Sequence, residues 1–380
     1  MKYVYIVLMA LVVAGCNRSA RIEIDGTAKN LPNGVFGIED VAGKPVYGNN
    51  VANGKFAVNE ILEYPGYYAM KLSDGGNSKE KPTLHEIYLE NGKYTIAIDG
   101  SNLAAYPTIT SPSKIQQELS AYYKLVDEIS TEGNKQINML TAVLNSDMAK
   151  TMAQDRYVEM VNELKKAQDE KTANEAKAIG KFIDANPKNV IAPHIMINLD
   201  YQTNPKYYYD IFNKLEPEVK NSEEGKQLGE KLGQLVKVLE GQPGPEIYGT
   251  DPEGKKFDPK SIQTKVVLVT FWRAGNEVSR KNHKDIIDGV LPQFSAKDVS
   301  VISIDLDTKK DWWTDAVKED KLPWAQYSDL KGNDSQNAAV WGISQVPSYY
   351  LMSGDWKIIA RNLPFESIAD AIATQLKKSK

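Results

Sequence analysis

Residues 265–281 read KVVLVTFWRAGNEVSRK, and this stretch decides the fold of the C-terminal part of the chain. Its first seven residues are almost continuously apolar, which is typical of a strand buried on both faces of a parallel sheet. A polar segment follows from Arg273. A helix is predicted to start at Asn276 or Glu277, because Asn is among the best N-cap residues and a carboxylate is favoured in the first turn.

The sequence around this stretch alternates between strands and helices. Three further strands are predicted over residues 299–304, 348–352 and 357–360, and a terminal helix carries Ile368, Ile372 and Leu376 on one face. Alternation of this kind indicates an α/β layered domain. The segment GQPGP at residues 241–245 breaks the preceding pattern and marks the start of that domain.

All six tryptophans lie in this C-terminal part, beginning with Trp272. The favoured interpretation is that these large side chains fill the domain core. The alternative is an exposed aromatic surface made by Trp312, Trp313 and Trp324, which could stack on sugars.

Several motifs occur in a fixed order: Phe271-Trp272, the segment WGISQVPS at residues 341–348, and GDWKII at residues 354–359. This ordered set resembles the TlpA-type, thioredoxin-like disulfide oxidoreductases of bacterial envelopes. The resemblance implies a thioredoxin-like α/β domain over residues 241–380, with Pro347 in the cis form and facing the active-site loop.

The resemblance fails at the redox motif. In the family, Cys-x-x-Cys follows Phe-Trp and an aromatic residue; here Gly275 takes the aromatic position, Asn276 the place of the nucleophilic Cys, and Ser279 that of the resolving Cys. Disulfide exchange needs a thiolate and a second thiol. Because the sole cysteine of the chain is Cys16, the sequence predicts no catalytic residues and a redox-inactive domain.

The retained proline suggests a second role. In the family, the backbone before the cis-proline pairs with an extended peptide substrate, which implies a groove here. Two interpretations stay open: a peptide-binding groove, or a proline kept only for the fold. The groove would be lined by Arg273, Glu277, Ser279, Val346, Pro347 and Ser348.

The N-terminus resembles that of a bacterial lipoprotein. Met1-Lys2 precedes an apolar run that is too short to span a bilayer, and Val13-Ala14-Gly15-Cys16 resembles a lipobox. We therefore expect a signal peptide over residues 1–15 and lipidation of Cys16. An ordinary signal peptide with a chance cysteine is the alternative. The expected location is the cell envelope, at the outer membrane facing the periplasm.

The rest of the chain predicts two further regions and a multidomain α+β protein. Short alternating segments and four Asx-Gly pairs predict an N-terminal antiparallel β domain over residues 16–105. A Pro-containing linker at 106–113 and then a helical region, together residues 106–240, follow it. The Asx-Gly pairs begin at Asp25, Asn33, Asn53 and Asn91.

No other chemistry stands out. The three histidines, His85, His194 and His283, fall in separate regions without ligand spacing, so no metal and no cofactor are expected. Ser279 and His283 are four residues apart, but a hydrolytic pair would also need an acid and an oxyanion hole; the alternative is a surface histidine. A net charge of -4 gives no reason to expect nucleic acid as a partner.

Two functional hypotheses follow. The first is a lipid-anchored envelope protein that binds a peptide or protein partner through a redox-inactive thioredoxin-like domain. The alternative is an enzyme: a thiol-disulfide oxidoreductase-family protein acting in envelope redox homeostasis with an external thiol, or a hydrolase.

Overall fold

The computed structural model describes residues 21–73 and 83–378. These residues form two compact units, with the boundary between Ile195 and Met196. The regional borders predicted after residues 105 and 240 stay predictions.

The signal peptide predicted over residues 1–15 and the lipidation predicted at Cys16 lie outside the described residues. Among the helices of the described chain, none combines the length and the apolar character that a membrane span requires.

The N-terminal unit consists of a sheet followed by helices. Its strands are β1 (Arg21–Lys29), β2 (Asn33–Glu39), β3 (Pro45–Ala52), β4 (Lys55–Ile61), β5 (Gly66–Ser73), β6 (Thr83–Leu89), β7 (Gly92–Asp99) and β8 (Thr108–Thr110). Its helices are α1 (Lys114–Leu144), α2 (Asp147–Lys150) and α3 (Gln154–Ala185), and α4 (Ala192–Ile197) crosses the boundary.

The strand order of this sheet is β6-β5-β2-β3-β4-β1-β7-β8. Neighbouring strands are antiparallel except β1 and β7, which are parallel. The expected sheet was wholly antiparallel. The parallel pair is possible because a long connection through five other strands separates β1 from β7 in the chain. β8 pairs with β7, so the predicted linker contains a strand.

Only one of the four Asx-Gly pairs is a hairpin turn between neighbouring strands. Asn53 and Gly54 both have positive φ and join β3 to β4, as a type I′ turn requires. The prediction was wrong for Asp25-Gly26, which lies inside β1. Gly26 pairs with Phe56 of β4 there, and its lack of a side chain leaves room for the Phe56 ring. The prediction was also wrong for Asn91, because β6 and β7 are not neighbours in the sheet.

The C-terminal unit contains a second sheet flanked by helices. Its strands are β9 (Val266–Trp272), β10 (Val299–Asp305), β11 (Ala325–Ser328), β12 (Ser348–Ser353) and β13 (Ile358–Ala360). Its helices are α5 (Pro205–Asn213), α6 (Pro217–Lys220), α7 (Glu223–Leu235), α8 (Glu277–Asp285), α9 (Lys310–Glu319), α10 (Gln336–Trp341) and α11 (Ile368–Lys378). One π-helical turn, Ile286–Val290, extends α8.

The order of this sheet is β11-β10-β9-β12-β13; β9, β10 and β11 are parallel, β12 is antiparallel to β9, and β13 is antiparallel to β12. Every residue of β9 is buried, because helices cover both faces of the central strand. This is the thioredoxin-like fold predicted for the C-terminal part, which is confirmed. Of its strands, β11 was not predicted; it is only four residues long and half polar.

Candidate functional site

The candidate site is the loop between β9 and α8, where the family carries its redox motif. α8 begins at Glu277, and Asn276 is its N-cap: the Asn276 Oδ1 accepts a hydrogen bond from the Ser279 N–H at 2.8 Å. The prediction of a helix starting here is confirmed. The loop is also fixed at its start, because the Ala274 N–H donates to Asp307 Oδ2 at 2.7 Å.

Replacing the cap tests its contribution to stability. We expect Asn276→Ala to lower the free energy of unfolding by about 1 kcal/mol, because it leaves an N–H of the first turn of α8 without its acceptor. Urea denaturation followed by tryptophan fluorescence measures this. Asn276→Ser retains a capping oxygen and should lose much less; equal losses in the two variants would show that the cap contributes nothing.

The two positions that the resemblance matches to the family's cysteines differ in exposure. Ser279 is completely buried, and its Oγ has no hydrogen-bond partner among the described residues. Asn276 is half-buried at the end of the loop, and Glu277 beside it is exposed. The site therefore keeps one accessible and one enclosed position, although neither residue carries sulfur.

His283 is buried rather than on the surface, contrary to the alternative that the sequence had left open. It is 1% exposed, and its Nε2 lies 3.1 Å from Thr270 Oγ1. Thr270 Oγ1 is in turn 2.7 Å from Ser303 Oγ, which accepts from Trp324 Nε1. Since Ser279 Oγ has no partner in the described chain, the Ser-His hydrogen bond that a hydrolytic pair needs is absent there.

Asp305 and Asp307 anchor the end of β10 beneath the same loop. Asp305 is fully buried; its Oδ2 accepts from the Asp307 N–H at 3.1 Å and from Ser328 Oγ at 2.9 Å, while Oδ1 has no partner among the described residues. Burial, and next the neighbouring Asp307 carboxylate, raise the pKa of Asp305 to about 8. The folded state therefore favours the protonated form of Asp305 more than the unfolded state does.

The shifted pKa values of Asp305 and His283 make the stability of the C-terminal unit depend on pH. An unfolded Asp titrates near 3.9, so the folded state holds a proton on Asp305 that the unfolded state has released. Linkage then makes the free energy of unfolding fall as pH rises from that value through about 8. His283 has the opposite effect. Burial lowers its pKa to about 4, so its contribution to the free energy of unfolding is lost as pH falls.

We therefore expect the urea midpoint of the unchanged chain to fall between about pH 7 and 8, above the range in which His283 titrates. Asp305→Asn should flatten this fall, because the variant has no proton to lose. Denaturation series at several pH values measure the slope. Asp311→Asn, which removes an exposed carboxylate, is the control, and an unchanged slope in Asp305→Asn would contradict the assignment.

The proline before β12 has the predicted geometry. The Val346–Pro347 peptide bond is cis, and Ser348, the first residue of β12, pairs with Phe271 of β9. Neither the N–H nor the C=O of Val346 makes a hydrogen bond with another described residue. These backbone groups are therefore available to a ligand.

The residues predicted to line a groove separate into two adjoining cavities of the C-terminal unit. Arg273 and Val346 line a cavity of about 320 Å³. Pro347 and Ser348 line another of about 670 Å³. Glu277, which is exposed, and Ser279, which is buried, line neither cavity.

Sequence reasoning missed several residues of these cavities. Leu306 and Asn333 are among the further residues that line the smaller one, and Asp200, Gln202 and Asn282 are among those that line the larger one. A usable signal existed only for Leu306, which directly follows a buried strand. In the described chain, no three His, Cys, Asp or Glu side chains are grouped so that they could hold a metal.

No protein-family model matches this chain. Among curated proteins, the thiol-disulfide oxidoreductase ResA of Bacillus thuringiensis subsp. konkukian is 25% identical over 138 residues, which cover 36% of this chain and 77% of ResA. ResA of Bacillus anthracis is 25% identical over 142 residues, covering 37% of this chain and 79% of its own length.

One solved structure is the C-terminal domain of a provisionally named thiol-disulfide oxidoreductase of Bacteroides thetaiotaomicron. It is 29% identical, with a TM-score of 0.35, and covers 37% of this chain and 99% of its own. The sequence similarity to the ResA proteins supports a relationship between the C-terminal part of this chain and the thioredoxin-like thiol-disulfide oxidoreductases.

Proposed function

We propose that this chain is a lipid-anchored protein of the cell envelope whose thioredoxin-like domain binds an extended peptide segment of a partner and does not exchange disulfides. The observation that carries the proposal is the pair of residues at the motif positions. Asn276 uses its side chain to cap α8, and Ser279 is buried there. With Cys16 as the sole cysteine, no thiolate is available in this domain.

Peptide binding is supported by the backbone before the cis-proline. The unpaired N–H and C=O of Val346 form one acceptor-donor pair of the kind that an extended strand satisfies. Val346 lines one cavity, and its neighbours Gln345 and Pro347 line a second one, so side chains of a bound strand would have space. A proline kept only for the fold would not require open cavities beside it.

The envelope location rests on the N-terminal sequence. The apolar run and the Val13-Ala14-Gly15-Cys16 segment match the layout of a lipoprotein signal, and two or three acyl chains suffice for stable anchoring. The proposed site is the outer membrane, facing the periplasm. Metabolic labelling with palmitate should be lost in Cys16→Ala, and labelling that persists in this variant would refute the anchor.

The second candidate is an enzyme of envelope redox homeostasis. The observation in its favour is the name of the relatives, thiol-disulfide oxidoreductases. Without a thiol of its own, the domain would have to position an external thiol beside the substrate disulfide.

Insulin reduction by dithiothreitol separates the two candidates. We expect residues 17–380, which lack Cys16, to leave the rate at that of dithiothreitol alone, whereas a Cys-x-x-Cys relative accelerates it. For binding, a photo-crosslinking residue at exposed Gln345 should capture an extended peptide, and one at exposed Lys297 should not. Acceleration by residues 17–380 would favour the enzyme.

A further inference from the structure

Arg273 has a charge that the described chain leaves unpaired. It directly follows β9 and is half-buried. Its Nη2 donates to the amide oxygen of Asn333 at 2.6 Å, but its buried Nε–H has no acceptor in the described chain. Arg280, one turn into α8, differs: it is paired with Glu319 and Asp320. A half-buried guanidinium that lacks a carboxylate partner has donors left for an anionic ligand that enters the cavity beside it.

The cavity beside Arg273 is suited to a negatively charged group. It lies beyond the carboxyl ends of β9 and β10, where Arg273 and Leu306 follow their strands, the usual place for ligands in an α/β sheet. Of the described residues that line it, Arg273 is the only charged one. Its volume of about 320 Å³ is at the small end of ligand pockets, enough for one side chain rather than a whole peptide.

The same cavity reaches the cis-proline loop. Gln345 and Val346 line it together with Arg273, and the Val346 backbone is unpaired. A segment hydrogen-bonded to Val346 would therefore place a neighbouring side chain or its own terminus against the guanidinium. Arginine binds carboxylates through two parallel N–H donors, which adds geometric selectivity to the charge attraction.

We propose that Arg273, held by Asn333, forms a carboxylate-binding subsite that selects partner segments carrying an acidic group. The proposal rests on the peptide-binding function above and deepens it. The carboxylate can come from a Glu or Asp side chain within the segment, or from the C-terminus of the partner. Both sources present the same planar anion to the guanidinium.

Fluorescence anisotropy with defined peptides tests the subsite in residues 17–380. The probes are labelled, amidated hexapeptides of serine and valine in which one glutamate occupies each position in turn, with a matched glutamine series. A third probe has no glutamate and a free C-terminal carboxylate. We expect at least one acidic probe to bind about tenfold more tightly than its neutral match; the glutamate series and the free-acid probe distinguish the two sources.

Two variants show whether the preference for acidic probes depends on Arg273 itself or on positive charge in general. Arg273→Gln should reduce binding of the preferred acidic probe to that of its neutral match, while leaving the neutral probe unchanged. Lys331→Gln removes an exposed positive charge that does not line the cavity, and it should retain the preference.

The outcomes separate the two proposals. If no probe binds, the peptide-binding function fails, and the subsite with it. If acidic and neutral probes bind equally, or if Lys331→Gln is as damaging as Arg273→Gln, the subsite is overturned and the groove stands.

Discussion

Replacing Asn276 and Ser279 together by cysteine is expected to give residues 17–380 the ability to catalyse insulin reduction, at least about tenfold above dithiothreitol alone. The scaffold that the chemistry needs is already present. Position 276 is half-buried at the N-terminus of α8, where the helix dipole lowers the pKa of a thiol and favours the thiolate. Position 279 lies in the first turn of α8, three residues after position 276, which is the spacing of a Cys-x-x-Cys pair, and the cis-proline is retained.

The single variants are the controls. Asn276→Cys alone should form a mixed disulfide with the substrate that only dithiothreitol can release, so it should accelerate the reduction less than the double variant, which has a second thiol of its own. Ser279→Cys alone should be inactive, because its thiol is buried. Mass spectrometry of the oxidised double variant should show an internal disulfide. A double variant that forms this disulfide but leaves the rate unchanged would mean that more than sulfur has been lost from the site.

Trp341→Ala is expected to lower the free energy of unfolding of the C-terminal unit by about 3–5 kcal/mol, the usual range for removing a buried aromatic side chain. Trp341 is 0% exposed. Its ring lies 5.1 Å from that of Tyr350, 5.4 Å from that of Phe271 and 5.8 Å from that of Trp356, measured between centroids. Alanine would leave a cavity among rings that the surrounding sheet holds in place.

Urea denaturation followed by tryptophan fluorescence measures this loss, because all six tryptophans lie in residues 272–356 and report on the C-terminal unit. Trp312→Ala is the matched control. Trp312 is 54% exposed, and its ring lies 4.4 Å from the Lys309 ammonium, so its removal should cost no more than about 1 kcal/mol. Similar losses in the two variants would contradict the burial that distinguishes them.

The same contrast bears on the aromatic surface that the sequence left open. Trp312 is exposed, but its neighbour Trp313 is 1% exposed and packs with Trp272. Trp324 uses its Nε1–H to donate to Ser303 in the domain interior. The three rings therefore do not share one surface, and most tryptophans fill the core, as the favoured interpretation expected.

Local sequence was sufficient for the parts of this protein that depend on neighbours in the chain. The apolar run ending at Trp272 identified β9, because a short, continuously apolar run rich in β-branched residues is typical of a strand covered on both faces. Asn276 identified the start of α8, since a cap contacts the residue three positions on. The loss of the thiol pair could be read directly from residues 276 and 279.

Tertiary structure alone decided which distant residues meet. Arg273 and Val346 are far apart in the chain, and they line one cavity because β9 and β12 are adjacent in the sheet. The burial of His283 depends on Thr270 and Trp272 of β9, and the parallel pairing of β1 with β7 depends on the strand order of the N-terminal sheet. Sequence periodicity records which face of an element is buried, but the identity of the partner on that face is set by strand order, which no local pattern carries.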